Sequence, residues 1–426
     1  MAIAILFGVF ALLLLIGLPV AFALFSASLA TALYLGLPPI LVILQLNSGA
    51  SAVTLIAIPL FIFAGEIMLR GGISERIIGL AAALVGRLRG GLAQVNVASS
   101  LLFGGVSGSA LADVSAVGGA MVPQMIERGF HRDFAVNVTI SAALAALLVP
   151  PSHNLILYSA SAGGGISIAD LFTAGMVPAL LLTLSLMTTV YVIARARGYR
   201  TEVFPGWPAL LNRFVAALPG LLLVGVIFTG IRAGIFTAVE SGAVAVLYAL
   251  LVTALVYRQL PWRQFADLCM HAARNTGAIL FVIAAAAAFG WLLAWLHVPA
   301  ATVAALGGIV DNHVAVLLLM ALILLVLGTF MDLAPMIIIC TPIFLPVAKA
   351  AGVDPLQFGV ILVLTGGIGL ITPPVGSVMF VGCAIGRISV GELMRTIWPF
   401  YLAMLSVLLL VIFIPGLSLW LPQALK

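Results

Sequence analysis

Charge is what this sequence has least of. Only 7% of its 426 residues are Asp, Glu, Lys or Arg, where a soluble domain carries about 25%. A chain so poor in charge cannot cover itself with solvated side chains, which excludes an ordinary soluble enzyme. Cysteine is scarce as well. Cys269, Cys340 and Cys383 sit in apolar or amphipathic segments without ligand spacing, so a disulfide framework and a thiolate metal cluster are excluded and the three read as small hydrophobes. The N-terminus has no basic stretch ahead of its apolar run and no small-residue cleavage site, so Ile3–Ile16 is expected to be a retained span rather than a signal peptide. No nucleophile–base pair or metal cluster stands out, and neither catalysis nor an organic cofactor is expected.

What is present is apolar. Hydrophobic residues make up 64% of the chain, and stretches such as Ile3–Leu35, Leu171–Ala194, Ile235–Tyr257 and Ile397–Ile414 each hold the roughly 20 residues that a transmembrane helix needs. The expected fold class is an all-α polytopic membrane protein. The net charge of +5 comes from basic residues lying between apolar spans, a pattern of membrane topology rather than of nucleic-acid binding.

The chain also repeats itself. Pro123, Gly129 and Pro150-Pro151 recur as Pro346, Gly352 and Pro373-Pro374, each at an offset of 223. In the same register Gly104–Asp113 falls opposite Leu327–Met336, and with a slip of two residues Pro59–Met68 faces Ala284–Leu293. Two repeats, 1–200 and 201–426, follow. The first is expected to hold spans Ile3–Ile16, Pro19–Leu35 and Leu55–Leu69, an amphipathic segment Ser74–Arg87, a hairpin Leu92–Ile126, a broken span Asp133–Ala162 and a closing span Leu171–Ala194. The second holds Phe214–Ile231, Ile235–Tyr257, an amphipathic segment Pro261–Arg274 just before span Gly277–Leu296, a hairpin Val314–Lys349, a broken span Pro355–Ile385 and Ile397–Ile414. With the N-terminus outside, fifteen of the eighteen basic residues face the cytoplasm, leaving only Arg232, Lys349 and Lys426 outside. That count requires the first hairpin to open inward beside Arg89 and Arg128 and the second outward beside Asp311 and Lys349, which makes the repeat inverted and the hairpins re-entrant.

Chemistry concentrates where these runs are interrupted, because irregular backbone at membrane depth survives only against protein or a cavity, and discontinuous helices mark transport sites. The first hairpin tip, GGVSGSALAD, offers Ser107 and Ser109 as oxygen ligands for a small cation and Asp113 as a charge; SGSA would equally serve close helix packing. The second tip, LGTFMDLAP, places Asp332 at the repeat position of Ser109, suited to an ion ligand, to a helix N-cap, or to both. The breaks VPPSHN and TPPVGS lose backbone donors at their proline pairs, so the carbonyls just before Pro150 and Pro373, those of Val149 and Thr372, can turn to a cation. The half-helix starting after each pair, with Ser152, His153 and Asn154 in one and Ser377 in the other, offers its positive end to a carboxylate. His153 could donate to substrate, sense protons or cap its helix. Glu66 and Glu240 could belong to a proton path or pair with a partner group.

Taken together, GLPVAFAL at Gly17–Leu24, PLFIFAGEIM, LVGRLRGGLAQVNVASSLLFGGVSGSALADVSAVG at Leu84–Gly118, LFTAGMVPALLL and GTFMDLAPMIIICTPIFLP followed by GLITPPVG resemble the large permease (M) subunit of tripartite ATP-independent periplasmic (TRAP) transporters nearly end to end. The resemblance implies an elevator-type member of the ion-transporter superfamily in the bacterial inner membrane. It implies sodium ions as coupling ions and small organic acids, carboxylates or sugar acids, as cargo, with the PPSHN form resembling members associated with sugar acids. It also implies two partners: a soluble periplasmic substrate-binding protein and a small four-helix membrane subunit, the latter expected as a separate chain. Family sodium sites carry over onto Ser107, Ser109, Val149, Pro150, Asp332, Thr372 and Pro373. Asp113, Ser152, His153, Asn154 and Ser377 are left as candidates for substrate. The rival expectations are a carboxylate or ion transporter of the same superfamily that works without a binding protein, and a membrane scaffold that does not transport.

Overall fold

The computed structural model describes residues 1–199, 201–202, 204–260, 263, 265–306 and 312–425. Asp311 and Lys426 of the charge pattern, and Pro261, Trp262 and Gln264 of the second amphipathic segment, lie outside them. The described residues form helices and no strand. Among the described residues five helices are long and apolar enough to cross a membrane, or up to eight if each sharply bent pair counts as one span.

The chain opens with α1 (Ala2–Leu15), α2 (Val20–Tyr34), α3 (Pro39–Ala50), α4 (Ala57–Arg70) and α5 (Ile73–Val85). Helix α3 was not expected. Pro38-Pro39 stops the preceding run and then starts a new helix with proline at its first position, where the missing N–H costs nothing. Next come α6 (Gly91–Ser107), α7 (Ala110–Asp113), a wide π-helical turn (Val114–Gly118) and α8 (Gly119–Glu127), which make the first hairpin. They are followed by α9 (Arg132–Ala142), a 3₁₀ turn (Ala143–Leu147), α10 (His153–Ser161) and α11 (Ile168–Ala196). The second half runs α12 (Trp207–Arg232), α13 (Ala238–Leu251), α14 (Phe265–Trp295), α15 (Val298–Leu306), then the second hairpin α16 (His313–Gly328) and α17 (Leu333–Ala350). The broken span α18 (Pro355–Leu370) and α19 (Ser377–Gly386) follows, and α20 (Val390–Thr396), α21 (Trp398–Phe413) and α22 (Gly416–Ala424) close the chain.

Elements recur as the sequence does. Helices α6 and α16 begin 222 residues apart, α9 and α18 223, α10 and α19 224, and both proline pairs are joined by cis peptide bonds. The packing is reciprocal too: α10 packs on the second hairpin at α17, and α19 on the first at α8 and its π turn. Polar bonds fasten the halves together. The Tyr158 hydroxyl donates to the Pro355 carbonyl at 2.7 Å, and the buried Asn137 amide reaches the Thr396 hydroxyl at 2.9 Å. Within the second half, Tyr401 donates to the Ile371 carbonyl at the break at 2.9 Å, occupying a group that lipid would leave unsatisfied at a cost of several kcal/mol.

The second amphipathic segment is corrected. Nothing between Arg274 and Gly277 breaks the helix, so 265–295 is one rod of 31 residues. The counterpart of α5 instead follows that rod: α4 and α14 end 225 residues apart, and α5 and α15 begin 225 apart. Helix α5 leaves α4 at a bend of 70° and packs on α6, while α15 packs on α17. Each arm thus lies between an outer helix and a hairpin.

Candidate functional site

The first hairpin turns at small residues, Gly108 and Ser109, and the second through Thr329–Asp332. Helix α6 ends at Gly108, whose left-handed φ of 60° suits glycine; the chain then extends through Ser109, whose hydroxyl accepts from the Ala112 N–H at 3.4 Å. At the second tip Asp332 also stands extended at the N-cap position, but it makes no cap bond. Its Oδ1 accepts instead from the Ser377 hydroxyl at 2.7 Å, so the capping role considered for it is not the one observed. In the first half, the Asn154 amide donates to the Gly108 carbonyl at 3.1 Å. Asn154 and Ser377 are 223 residues apart, so each broken span is tied to its own hairpin tip from the same place.

These four irregular segments meet round one cavity of about 650 Å³. Ser107, Ser109, His153, Asn154, Asp332 and Ser377 line it, joined by a wall from α4 (Ile62, Gly65, Glu66, Leu69, Arg70) and α14 (His271, Asn275, Ala278, Ile279, Val282). The spacings on both helices are those of a single helical face. Within that wall Glu66 Oε1 lies 3.1 Å from His271 Nδ1, and Glu66 Oε2 3.9 Å from Arg70 Nε. Of the two open readings for Glu66, the pairing is what is observed. Glu240 takes neither: it is exposed, and it forms a capping box with Thr237 at the start of α13. His153 is not a cap, since Ser152 holds the N-cap position.

The other candidates lie off the cavity. Asp113 is fully buried with neither carboxylate oxygen hydrogen-bonded, and Ser99 and Ser100 are likewise buried without a partner; the Ser100 hydroxyl stands beside the carboxylate outside ordinary hydrogen-bond geometry. Ser152 spends its hydroxyl on the Leu147 carbonyl at 2.5 Å, and Thr372 on that of Ile368 at 2.7 Å. Val149, Pro150 and Pro373 are not among the lining residues. Sequence reading missed the role of Arg70, His271 and Asn275. The one available signal, their period on α4 and α14, is shared by every packed helix.

Two interrupted helices and two hairpins closing round one cavity, mostly apolar in its lining but carrying polar groups at the tips and breaks, inside apolar helices define a multi-pass membrane permease. The chain belongs to the family described as "Tripartite ATP-independent periplasmic transporter, DctM component", which matches residues 7–417. It is 41% identical to the Salmonella typhimurium protein YgiK over 99% of this chain and 97% of that one. It is 34% identical to the Escherichia coli 2,3-diketo-L-gulonate TRAP transporter large permease protein YiaN over 94% of each. With the Rhodobacter capsulatus C4-dicarboxylate TRAP transporter large permease protein DctM it shares 33% identity over the whole of both. Among solved structures the Alcanivorax borkumensis YdaH transporter superposes with a TM-score of 0.55 at 14% identity, covering 90% of this chain and 86% of that one, a likeness of fold alone.

Proposed function

We propose that this chain imports small organic acids, carboxylates or sugar acids, across the bacterial inner membrane, driven by sodium and supplied by a soluble periplasmic binding protein. A small membrane subunit completes the complex. The observation that carries this reading is the convergence of both hairpin tips and both breaks on one cavity, as coupling requires: ion and cargo share a site built from discontinuous helices. The named substrates of YiaN and of the Rhodobacter capsulatus permease, a keto sugar acid and C4-dicarboxylates, support the substrate class. Ser107, Ser109 and Asp332, with carbonyls at Val149, Pro150, Thr372 and Pro373, are the ion ligands under this reading, and His153, Asn154 and Ser377 face the cargo.

Alternating access then comes from an elevator movement of the hairpins and broken spans against the outer helices, with the two repeats inverted across the membrane. The test is uptake into proteoliposomes holding the large and small subunits, with the binding protein outside. Accumulation against a gradient that needs inward sodium and binding protein is expected. Equal uptake by this chain alone would favour the transporter that needs no binding protein.

A further inference from the structure

The cavity takes an anion yet contains carboxylates of its own, Glu66 and Asp332. Among the described residues, Arg70 is the one lysine or arginine that lines it. Arg70 ends α4, where the helix dipole favours a cation, and its side chain keeps 32% of its surface. Glu66 meets it only at Nε and only at 3.9 Å, an ion pair too long for a hydrogen bond. No described residue hydrogen-bonds the terminal nitrogens, so the two-pronged edge that matches a carboxylate is open.

Glu66 is engaged more closely from across the helix pair, by His271 at 3.1 Å, and Asn275 lies 3.4 Å from that same His271 nitrogen. Glu66 is thereby anchored to α14, and its loose grip on Arg70 keeps the guanidinium over the cavity without using it up. A free carboxylate can displace a partner held that weakly, whereas a tight bidentate pair would resist it.

We propose that Arg70 is the carboxylate-binding residue of the cavity, that Glu66 positions it from the α4–α14 wall, and that the rest of the organic acid lies towards His153 and Asn154. The assignment rests on the organic-acid reading above and adds to it the residue that reads the charge. It also puts that residue on the outer helices, not on the hairpins, so cargo contacts both parts of the molecule while the cavity has this shape.

The test is thermal unfolding of the purified chain in sodium buffer, titrated with gluconate, succinate and lactate and, as a neutral control, glucitol. At least one acid raises the unfolding midpoint of the wild type and glucitol does not. Arg70→Gln weakens that acid by on the order of ten- to a hundredfold, the worth of a charge-assisted hydrogen bond, and Arg70→Lys by less. Glu66→Gln tightens it by about two- to fivefold, since the competing carboxylate is gone. A purely structural role for the pair would give no tightening. Acid binding by Arg70→Gln equal to the wild type overturns Arg70 and leaves the organic-acid reading standing. Should Arg70→Gln fail to fold, unchanged affinity in both Arg70→Lys and Glu66→Gln overturns the assignment instead. No response of the wild type to any acid overturns the organic-acid reading and this assignment with it.

Discussion

The Ser377 hydroxyl donates a 2.7 Å hydrogen bond to Oδ1 of Asp332, joining the second break to the second hairpin tip. Its counterpart in the first half is the 3.1 Å bond from the Asn154 amide to the Gly108 carbonyl. Neither tip can leave its break without unmaking a bond at the cavity wall. Asp332 spends only one of its oxygens on this link and is itself exposed to the cavity, so it can hold the tip in place and still present charge.

Asp332→Asn should leave the protein folded and raise the sodium concentration for half-maximal uptake by about tenfold. The asparagine oxygen still accepts from Ser377, so the link survives, while the lost charge removes an interaction on the order of 1.5–3 kcal/mol. Sodium titration of uptake in proteoliposomes checks it; an unchanged sodium dependence would remove Asp332 from the ion site.

Ser109→Ala should move the same sodium titration in the same direction by less. The hydroxyl is a dipole rather than a charge, and its cap bond to Ala112 N is long at 3.4 Å, so the helix loses only about 0.5–1 kcal/mol. A shift larger than that of Asp332→Asn would reverse the order of importance of the two tips.

Much of this architecture is legible in the sequence because proline and glycine act locally. The pairs Pro150-Pro151 and Pro373-Pro374 interrupt a helix wherever they stand, and their shared offset carried the hairpins and broken spans into register. Tertiary pairing was not legible. Nothing near Glu66 says that it meets His271 about 200 residues later, and the amphipathic look of Pro261–Arg274 comes, over its described part from Phe265 on, from a helix whose His271 and Asn275 line a cavity. For the same reason the sequence shows Asp113 only as a charge beside a tip, whereas its side chain is buried and does not line the cavity. The sequence does not reveal α15 as the counterpart of α5, because α15 has no amphipathic signal of its own; only its 225-residue offset from α5 does.

Gly369→Ala should lower stability by about 1–3 kcal/mol, the usual cost of overpacking. An added Cβ would stand 2.5 Å from the Gly328 carbonyl carbon and 2.6 Å from its Cα. Those are backbone atoms, so no rotamer change relieves the clash, and the second hairpin would be pushed off its broken span. Gly391→Ala is the control, because nothing lies within 4 Å of its added methyl. Thermal unfolding in detergent should drop for the first variant and hold or rise for the second; equal midpoints would show that hairpin and break are not closely held.

Cross-linking the outer helices to the hairpins should stop transport and spare ion binding. The argument begins at Gly290 on α14, where a Cβ would lie 3.8 Å from Cγ of Pro342 on α17. Under the elevator reading α14 stays with the outer helices and α17 travels with the hairpins, so this contact must slide in every cycle. The arms α5 and α15, each packed between an outer helix and a hairpin, would flex to allow it. Cysteines placed at 290 and 342, in a background with Cys269, Cys340 and Cys383 replaced by alanine, should be joined by a short thiol-reactive cross-linker. Uptake should then fall to background while sodium still raises the unfolding midpoint, because both tips and both breaks remain together on the α17 side. Reduction of a cleavable linker should restore uptake. Full transport by the cross-linked protein would mean that α14 and α17 do not move past one another, and the elevator reading would fall.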